Sequence, residues 1–205
     1  MTTRPFAALL LAGGRSERMG QDKAFLKWHG DCLWQIQLNK LLALNPDRLI
    51  LSCREEQRAH FNLADSIAEC FFDPPDFQLG PLGIIDLVLR FVQMPLMVLA
   101  VDMPRMTADF MHQEFLVAQN LDRGRCFSSA YGVEPLAALY VPAMLPIMEG
   151  ALMDGQLSLQ RLLSQGHDLG FVDLQIAKNH QRHFFSNCNT PSEWEHETDR
   201  SERPA

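Results

Sequence analysis

Near its start the chain reads AALLLAGGRSERMGQDK, residues 7–23, where an apolar run leads directly into a loop of glycines and basic side chains. The run Ala7–Leu11 is apolar at every position, which is typical of a strand buried on both faces of a parallel sheet. Three glycines and three cations follow: Gly13, Gly14, Gly20, Arg15, Arg18 and Lys23. Glycines let backbone amides approach an anion closely, and Arg or Lys neutralises its charge. The segment therefore predicts a strand with an anion-binding loop at its carboxyl end.

The glycine spacing of this loop excludes two common phosphate-binding signatures. No Gly-Lys-Ser/Thr follows at Walker A spacing, and the adjacent Gly13 and Gly14 do not fit G-x-G-x-x-G. A surface loop with solvated charges is the alternative interpretation. The position of the loop favours binding, because ligands of open α/β sheets sit beyond the carboxyl ends of the strands.

The overall composition bounds the class of protein. With 205 residues, 47% of them hydrophobic, the chain has the length and apolar content of one globular domain with a sizeable core. Its formal charge of −7 argues against a dedicated nucleic-acid or membrane-surface binder, which normally has a basic face. Four of its 18 Lys and Arg residues nevertheless fall within residues 15–27. Five widely spaced cysteines without a C-x-x-C pair predict reduced thiols in a cytoplasmic protein. The apolar start has about the minimum length of a signal-peptide core and runs straight into the charged loop, which argues against a signal peptide.

The order of the apolar patterns predicts the fold class. Strand patterns at 7–11, 48–53, 68–72 and 96–101 alternate with helical patterns at 33–44, 55–63, 83–92 and, capped by Thr107, 107–118. This rhythm predicts a three-layer α/β/α domain with a mostly parallel twisted sheet. Beyond residue 120 we expect a strand pair at 126–131 and 136–141, helices at 142–150 and 158–164, and further strands at 169–174 and 183–187. Residues 190–193 have a capping-box pattern, which predicts the start of a helix. We expect one domain over 1–197 and a disordered tail over 198–205.

A single carboxylate stands where a cation site would be expected. Asp102 directly follows the strand pattern 96–101, at the edge that also carries the opening loop. Mg²⁺ binds one or two carboxylates and completes its shell with phosphate oxygens and water. Asp102 is therefore a candidate metal ligand. A turn-forming Asp before Pro104 is the alternative.

Two further segments are compatible with a ligand and with a purely structural role. The sequence GPLG at 80–83 precedes a helical pattern and is either a helix start directed at a ligand or a tight turn. Asn187 and Asn189 could bind a polar heterocycle through their amides, or could simply precede a helix that begins at Thr190.

Together these segments resemble a known family. The pattern L-A-G-G-R-S-x-R-M-G-x-D-K looks like the signature of nucleotidyltransferases, most closely of the molybdenum cofactor guanylyltransferases, the MobA family. The resemblance continues in LWQ at 33–35, Asp73 with GPLG at 80–83, VDMP at 101–104, EPL at 134–136 and NCNTP at 187–191, and so covers about residues 6–197. It implies a Rossmann-like, nucleotide-diphospho-sugar-transferase-like fold.

The resemblance also implies a reaction and a set of site residues. The family transfers GMP from GTP to the phosphate of molybdopterin, or Mo-molybdopterin, with Mg²⁺ and release of pyrophosphate; molybdoenzyme maturation proteins are further expected partners. We expect catalytic roles for Arg18, Lys23 and Asp102, with Asp102 holding the metal. The expected nucleotide-binding residues are Leu11, Ala12, Gly13, Gly14, Lys23, Ser52, Asp73, Gly80 and Asp102, and the expected molybdopterin-binding residues are Asn187 and Asn189. Ser52 departs from the Asn that the family often has at this position, which puts a direct contact to the nucleoside in doubt.

Other functions remain open at this point. The reaction could use CTP with molybdopterin, or a sugar phosphate as acceptor. Gly13 and Gly14 favour the guanylyl version, because cytidylyl relatives tend to carry alanine at the position of Gly13. A non-catalytic cofactor-assembly partner is a third possibility, and the joint presence of Arg18, Lys23 and Asp102 argues against it.

Overall fold

The opening apolar run forms the centre of a large sheet. The computed structural model describes residues 4–14, 20–61, 68–73, 79–117, 122–129, 132–188 and 193–194. Its strands are β1 (Ala7–Leu11), β2 (Lys27–Trp28), β3 (Asp31–Cys32), β4 (Arg48–Arg54), β5 (Glu69–Asp73), β6 (Leu96–Ala100), β7 (Gly124–Ser129), β8 (Gly132–Val133), β9 (Ala137–Tyr140) and β10 (Val172–Ile176). Its α-helices are α1 (Leu33–Leu42), α2 (Gly80–Val92), α3 (Ala108–Met111), α4 (Leu145–Met153) and α5 (Leu159–Asp168).

The sheet is mostly parallel, as the strand and helix rhythm predicted. Within the described residues its order is β10-β7-β9-β6-β1-β4-β5, with β8 paired to β7. β1 runs parallel to both β4 and β6, with Leu11 opposite Ser52 on one side and Ala100 on the other. β9 runs antiparallel to β6 and β7, and β8 antiparallel to β7. The carboxyl ends of β1, β4 and β6 therefore lie side by side at one edge.

Two apolar cores, one on each face of the sheet, account for the continuously apolar strands. Side chains alternate between faces along a strand, so Ala8 and Leu10 of β1 pack into one core and Ala7 and Leu9 into the other. The first core includes residues of α1 and α3, and the second includes residues of α2, α4 and α5. A strand buried on both faces favours apolar side chains at every position, and β1 accordingly reads AALLL.

One predicted element is wrong and others differ at their ends. Residues 183–187, expected as a strand, contain a 3₁₀-helix at Arg182–Phe185, because Phe184 and Phe185 pack on Phe110 with ring centroids 4.4 and 5.7 Å away. The helix predicted over 55–63 is a 3₁₀-helix at Glu55–His60, and 62–63 lie outside the described residues. Thr107 caps α3 as predicted, but the chain widens into a π-helix at His112–Val117. The predicted strand 126–131 is β7, shifted two residues towards the amino terminus.

Some expectations fall on parts of the chain that the structure leaves undescribed. These are the capping-box positions 190–192 and the tail 198–205. In the residues that are described, we find no helix of the length and apolar character needed to cross a membrane.

Candidate active site

The ends of three neighbouring strands are joined by backbone hydrogen bonds that bring the predicted site segments together. The amide of Val101 donates to the Leu11 carbonyl at 3.0 Å, and the amide of Ala12 donates to the Ser52 carbonyl at 2.8 Å. Sheet pairing thus extends one residue past β1 and past β6. The opening loop and the turn at Asp102 consequently leave the sheet next to each other.

Lys23 and Asp102, 79 residues apart in the sequence, meet at this edge. The Lys23 ammonium donates to Asp102 Oδ2 at 2.9 Å. The two side chains are 13% and 19% exposed, so the pair is largely shielded but still reachable from solvent. One cation and one carboxylate in contact at the carboxyl edge of a parallel sheet form an arrangement suited to phosphate and a hard cation.

Two polar residues of α1 hold the turn that carries Asp102 through hydrogen bonds to its backbone. Gln37 is fully buried, and its amide donates to the Met103 carbonyl at 2.7 Å. Lys40 donates to the Pro104 carbonyl at 2.7 Å and to Gln37 Oε1 at 2.8 Å, and burial lowers its pKa to about 8. These bonds satisfy turn carbonyls that the helix would otherwise cover. Neither residue belonged to the predicted site, although a Gln on the apolar side of an amphipathic helix is a signal for a buried hydrogen bond.

The Asp102 backbone also joins the site to the segment near the chain's end. Its carbonyl accepts a hydrogen bond from the Cys188 amide at 3.0 Å. The neighbouring Asn187 is exposed, so its side chain lies at the surface beside the Asp102 turn. Asn189, expected with it, lies outside the described residues.

A second polar group, which was not among the predicted site residues, holds the opening loop. Arg54, the last residue of β4, donates through Nη1 to the carbonyls of Gly13 and Gly14 at 2.7 and 2.6 Å. Its Nη2 donates to Asp22 Oδ2 at 2.8 Å. Gln57 donates to the Ala12 carbonyl at 3.0 Å and to the same Asp22 oxygen at 2.6 Å. The sequence signal that could have identified Arg54 is its position: it is a cation at the carboxyl end of β4, the strand paired with β1.

The other predicted nucleotide-binding residues take different positions at this edge. Ser52 is 1% exposed, which leaves its side chain little access to a ligand. Gly80 is exposed and begins α2 with φ of +55°, so the GPLG segment is the first turn of a helix. Asp73 ends β5 with its backbone opposite Arg54. Arg18 lies outside the described residues.

Gly14 has room for a side chain within the part of the chain that the structure describes. Among those residues, no heavy atom lies within 4 Å of a Cβ built there, and its φ is not in the left-handed region. The described residues therefore do not themselves require a glycine at this position.

Glu134, part of the EPL segment, lies at the same edge on the far side of β6. The Leu136 carbonyl accepts a hydrogen bond from the Ala100 amide at 2.8 Å, which places the start of β9 beside the end of β6. Glu134 is 7% exposed and accepts a hydrogen bond from the Ser129 hydroxyl. Burial raises the pKa of the Glu134 carboxyl, and the Ser129 hydrogen bond partly opposes that shift.

The donor set tests whether a metal fits this edge. Among the described residues, no three His, Cys, Asp or Glu side chains come together as a preformed metal cluster. Asp102 supplies one carboxylate beside a cation, Lys23, that also attracts phosphate. This set fits a divalent cation that takes most of its ligands from phosphate oxygens and water, the coordination that Mg²⁺ prefers.

Comparison with known proteins identifies the family of the chain. The family model described as MobA-like NTP transferase domain matches residues 8–169. The molybdenum cofactor guanylyltransferase of Xanthomonas euvesicatoria pv. vesicatoria is 32% identical over 193 residues, covering 93% of this chain and 93% of the relative. The molybdenum cofactor guanylyltransferase of Pseudomonas fluorescens is 33% identical, and the match covers 91% of this chain and 90% of the relative. The crystal structure of molybdopterin-guanine dinucleotide biosynthesis protein A from Archaeoglobus fulgidus, 21% identical, superposes with a TM-score of 0.76 over 95% of this chain and 98% of that one, which confirms the fold. The chain belongs to the MobA-like NTP transferase family.

Proposed function

We propose that this protein transfers GMP from GTP to the terminal phosphate of molybdopterin, forming the guanine dinucleotide cofactor and releasing pyrophosphate. The observation that carries the proposal is the contact between Lys23 and Asp102 at the carboxyl edge of the sheet. The relatives named molybdenum cofactor guanylyltransferase, aligned over more than nine-tenths of the chain, support the choice of GTP and molybdopterin.

The chain's own residues supply charge and position. Lys23 exchanges its carboxylate partner for a phosphate oxygen of GTP, and Arg18 adds a second cation to the same loop. The backbone at Leu11, Ala12, Gly13 and Gly14 borders the nucleotide, with Asp73 and Gly80 on the β5 and α2 side. The Ala12 amide donates to the Ser52 carbonyl, and we assign phosphate contact to the backbone of the next two residues, Gly13 and Gly14. Ser52 supports this edge through its backbone.

The chemistry needs no nucleophilic side chain. A phosphate oxygen of molybdopterin attacks the α-phosphorus of GTP, a new P–O bond forms, and the bond to the bridging oxygen of the β-phosphate breaks. A phosphate monoester with a second pKa near about 6 is already ionised at neutral pH, so no general base is required. Catalysis then rests on alignment and on charges that match those of the transition state.

Asp102 is the residue that would hold a divalent cation, proposed as Mg²⁺. Such an ion, when bound, neutralises charge on the phosphate oxygens. The contribution of the protein is a carboxylate on a turn fixed by Gln37, Lys40 and Cys188.

The acceptor is expected at the end of the chain. Asn187 lies beside the Asp102 turn, and Asn189 follows two residues later, so we assign amide recognition of the pterin to this pair. Delivery of the product to molybdoenzyme maturation proteins and a cytoplasmic location complete the proposal.

Binding of the four nucleotides tests base choice and cation dependence together. Thermal unfolding with GTP, CTP, ATP and UTP, each with and without MgCl₂, should show the largest rise in melting temperature for GTP with Mg²⁺, because a ligand that binds the folded state stabilises it. A larger rise with CTP would favour the cytidylyl version. No rise with any nucleotide would favour a non-catalytic partner and contradict the proposal.

A further inference from the structure

We infer that Arg54, with Asp22 and Gln57, is a positioning group that fixes both ends of the opening loop and so places Lys23; this inference rests on the proposed function of that loop. None of the three residues is part of the glycine and basic pattern that predicted the site. They connect β4 and the 3₁₀-helix behind it to the two points where the loop leaves and rejoins the body of the protein.

At the first end of the loop, Arg54 determines which way the peptide groups face. One guanidinium nitrogen, Nη1, lies 2.7 Å from the Gly13 carbonyl and 2.6 Å from the Gly14 carbonyl. In a trans peptide the carbonyl of one residue and the amide of the next point in opposite directions. A guanidinium that holds the Gly13 carbonyl therefore turns the Gly14 amide away from Arg54. Gln57 donates to the Ala12 carbonyl at 3.0 Å, and so turns the Gly13 amide away from Gln57 in the same way.

At the second end, the same guanidinium holds the residue before Lys23. Arg54 Nη2 donates to Asp22 Oδ2 at 2.8 Å, and Gln57 Nε2 donates to that oxygen at 2.6 Å. The other carboxylate oxygen, Oδ1, accepts from the Ala24 amide at 3.1 Å and caps the 3₁₀-helix Lys23–Phe25. The backbone of Lys23 is therefore fixed by Asp22, while its ammonium reaches Asp102 at 2.9 Å.

Only a guanidinium serves both ends at once. Its planar fork presents two nitrogens in fixed directions, and here one takes two carbonyls while the other takes a carboxylate. An ammonium is a point charge on a flexible stem and cannot hold this geometry. The Arg54 and Asp22 side chains are 25% and 21% exposed, so the surrounding chain shields their contact from much of the solvent. Gln57 in turn accepts from the Arg54 amide at 2.7 Å, which closes the group.

The consequence is preorganisation of the loop before the nucleotide arrives. A displacement of about 1 Å in a group that positions substrate can cost about 100-fold in rate. Replacing the Arg54 guanidinium should therefore weaken GTP binding by about 10- to 100-fold and lower the GMP-transfer rate at saturating GTP. A residue that merely stabilised the fold would change neither quantity at a temperature where the protein stays folded.

The test compares Arg54→Met with a matched arginine at the other end of the same strand. Arg48 also makes a two-point contact with a carboxylate, Glu69, at 2.8 and 2.6 Å, but at the amino end of β4. Arg48→Met should leave the GTP affinity at the wild-type value, and Arg54→Met should weaken it by about 10- to 100-fold. Arg54→Lys should give an intermediate loss. Asp22→Asn retains the shape of the carboxylate but turns one acceptor into a donor, so it should reproduce the effect of Arg54→Met if that variant folds poorly.

Two measurements identify positioning rather than direct contact. The GTP dissociation constant, obtained by calorimetric titration, should respond less to Arg54→Met when Lys23→Met is already present, because residues that act through one another are not additive. Hydrogen exchange without nucleotide should accelerate in peptides covering 8–14 and 20–26 in Arg54→Met but not in Arg48→Met. Wild-type GTP affinity in both Arg54→Met and Asp22→Asn would overturn the inference. Failure of the wild-type protein to bind GTP would instead contradict the proposed function, and the exchange rates would then still decide whether Arg54 fixes the loop.

Discussion

Replacing Asp102 with Asn changes the charge of the site by one unit and leaves its shape almost unchanged. In the structure this carboxylate accepts a hydrogen bond from the Lys23 ammonium at 2.9 Å, with both side chains mostly buried. Unit charges about 4 Å apart attract by about 1 kcal/mol in water and about 4 kcal/mol near a protein surface. Asp102→Asn therefore releases Lys23 from a substantial attraction and removes a negative charge from the place where a triphosphate is expected.

Two effects of opposite sign follow for GTP. Without a divalent cation, the variant should bind GTP more tightly than the wild type, by about 1–2 kcal/mol or about 5- to 30-fold, because Lys23 no longer has to leave a carboxylate. With saturating Mg²⁺ the order should reverse, since the variant lacks the anionic ligand for the cation. Its GMP-transfer rate should fall by ~10²–10⁴-fold, the range for losing a principal electrostatic stabiliser.

Calorimetric titration with GTP in EDTA and in MgCl₂, together with pyrophosphate release, measures both effects. Asp47→Asn is the matched control, because Asp47 lies at the opposite edge of the sheet. Its carboxylate also accepts a hydrogen bond, from the Phe6 amide at 3.0 Å. That variant should respond to Mg²⁺ as the wild type does. An equal loss of GTP affinity in EDTA and in MgCl₂ for Asp102→Asn would refute the reasoning and identify Asp102 as a structural residue of the turn.

Three further variants test other parts of the site. Gly14→Ala should leave the melting temperature unchanged, because no heavy atom of the described residues lies within 4 Å of the added Cβ, while calorimetry shows weaker GTP binding; an equal loss of stability would place the constraint in the fold. Gln37→Leu should lower the free energy of unfolding in urea by about 1–3 kcal/mol, because the Met103 carbonyl loses its 2.7 Å donor, and a wild-type value would contradict that role. Glu134→Gln should raise the free energy of unfolding at pH 7.5, since burial raises the pKa of that carboxyl above its ordinary 4.5 and ionisation in the folded state is costly. The gain should shrink as the pH falls to about 4.5, where the carboxyl is increasingly protonated in both states; the same gain at both pH values would count against the assignment.

The parts of the fold that rest on local patterns could be predicted from the sequence. The apolar run Ala7–Leu11 specified a central parallel strand because only a strand covered on both faces can bury every side chain. Residues 183–187 misled because their apolar pattern has two structural solutions. The aromatic contacts of Phe184 and Phe185 with Phe110, more than 70 residues earlier in the chain, favour the helical one.

The site residues that could be predicted are those whose side-chain type itself indicates their chemistry. A cation in a glycine-rich loop and an Asp after a strand suggested Lys23 and Asp102, and the parallel sheet explains why the two segments meet. Residue type gave only a general signal for Arg54 and Gln37, because each holds a backbone carbonyl, of Gly13 and of Met103, that lies 41 or 66 residues away, and every residue has a carbonyl whatever its type. The residues that hold a site in place are therefore harder to predict than those that act in it.

The proposed reaction transfers GMP, and isotope labelling follows that group directly. GTP labelled at the α-phosphorus is incubated with the protein, molybdopterin and MgCl₂, and the product is separated from pyrophosphate. We expect the label in the molybdopterin dinucleotide, one unlabelled pyrophosphate for each molecule formed, and no comparable transfer from labelled CTP, ATP or UTP. Label that stays in GTP, or that passes to molybdopterin faster from CTP than from GTP, would contradict the claim.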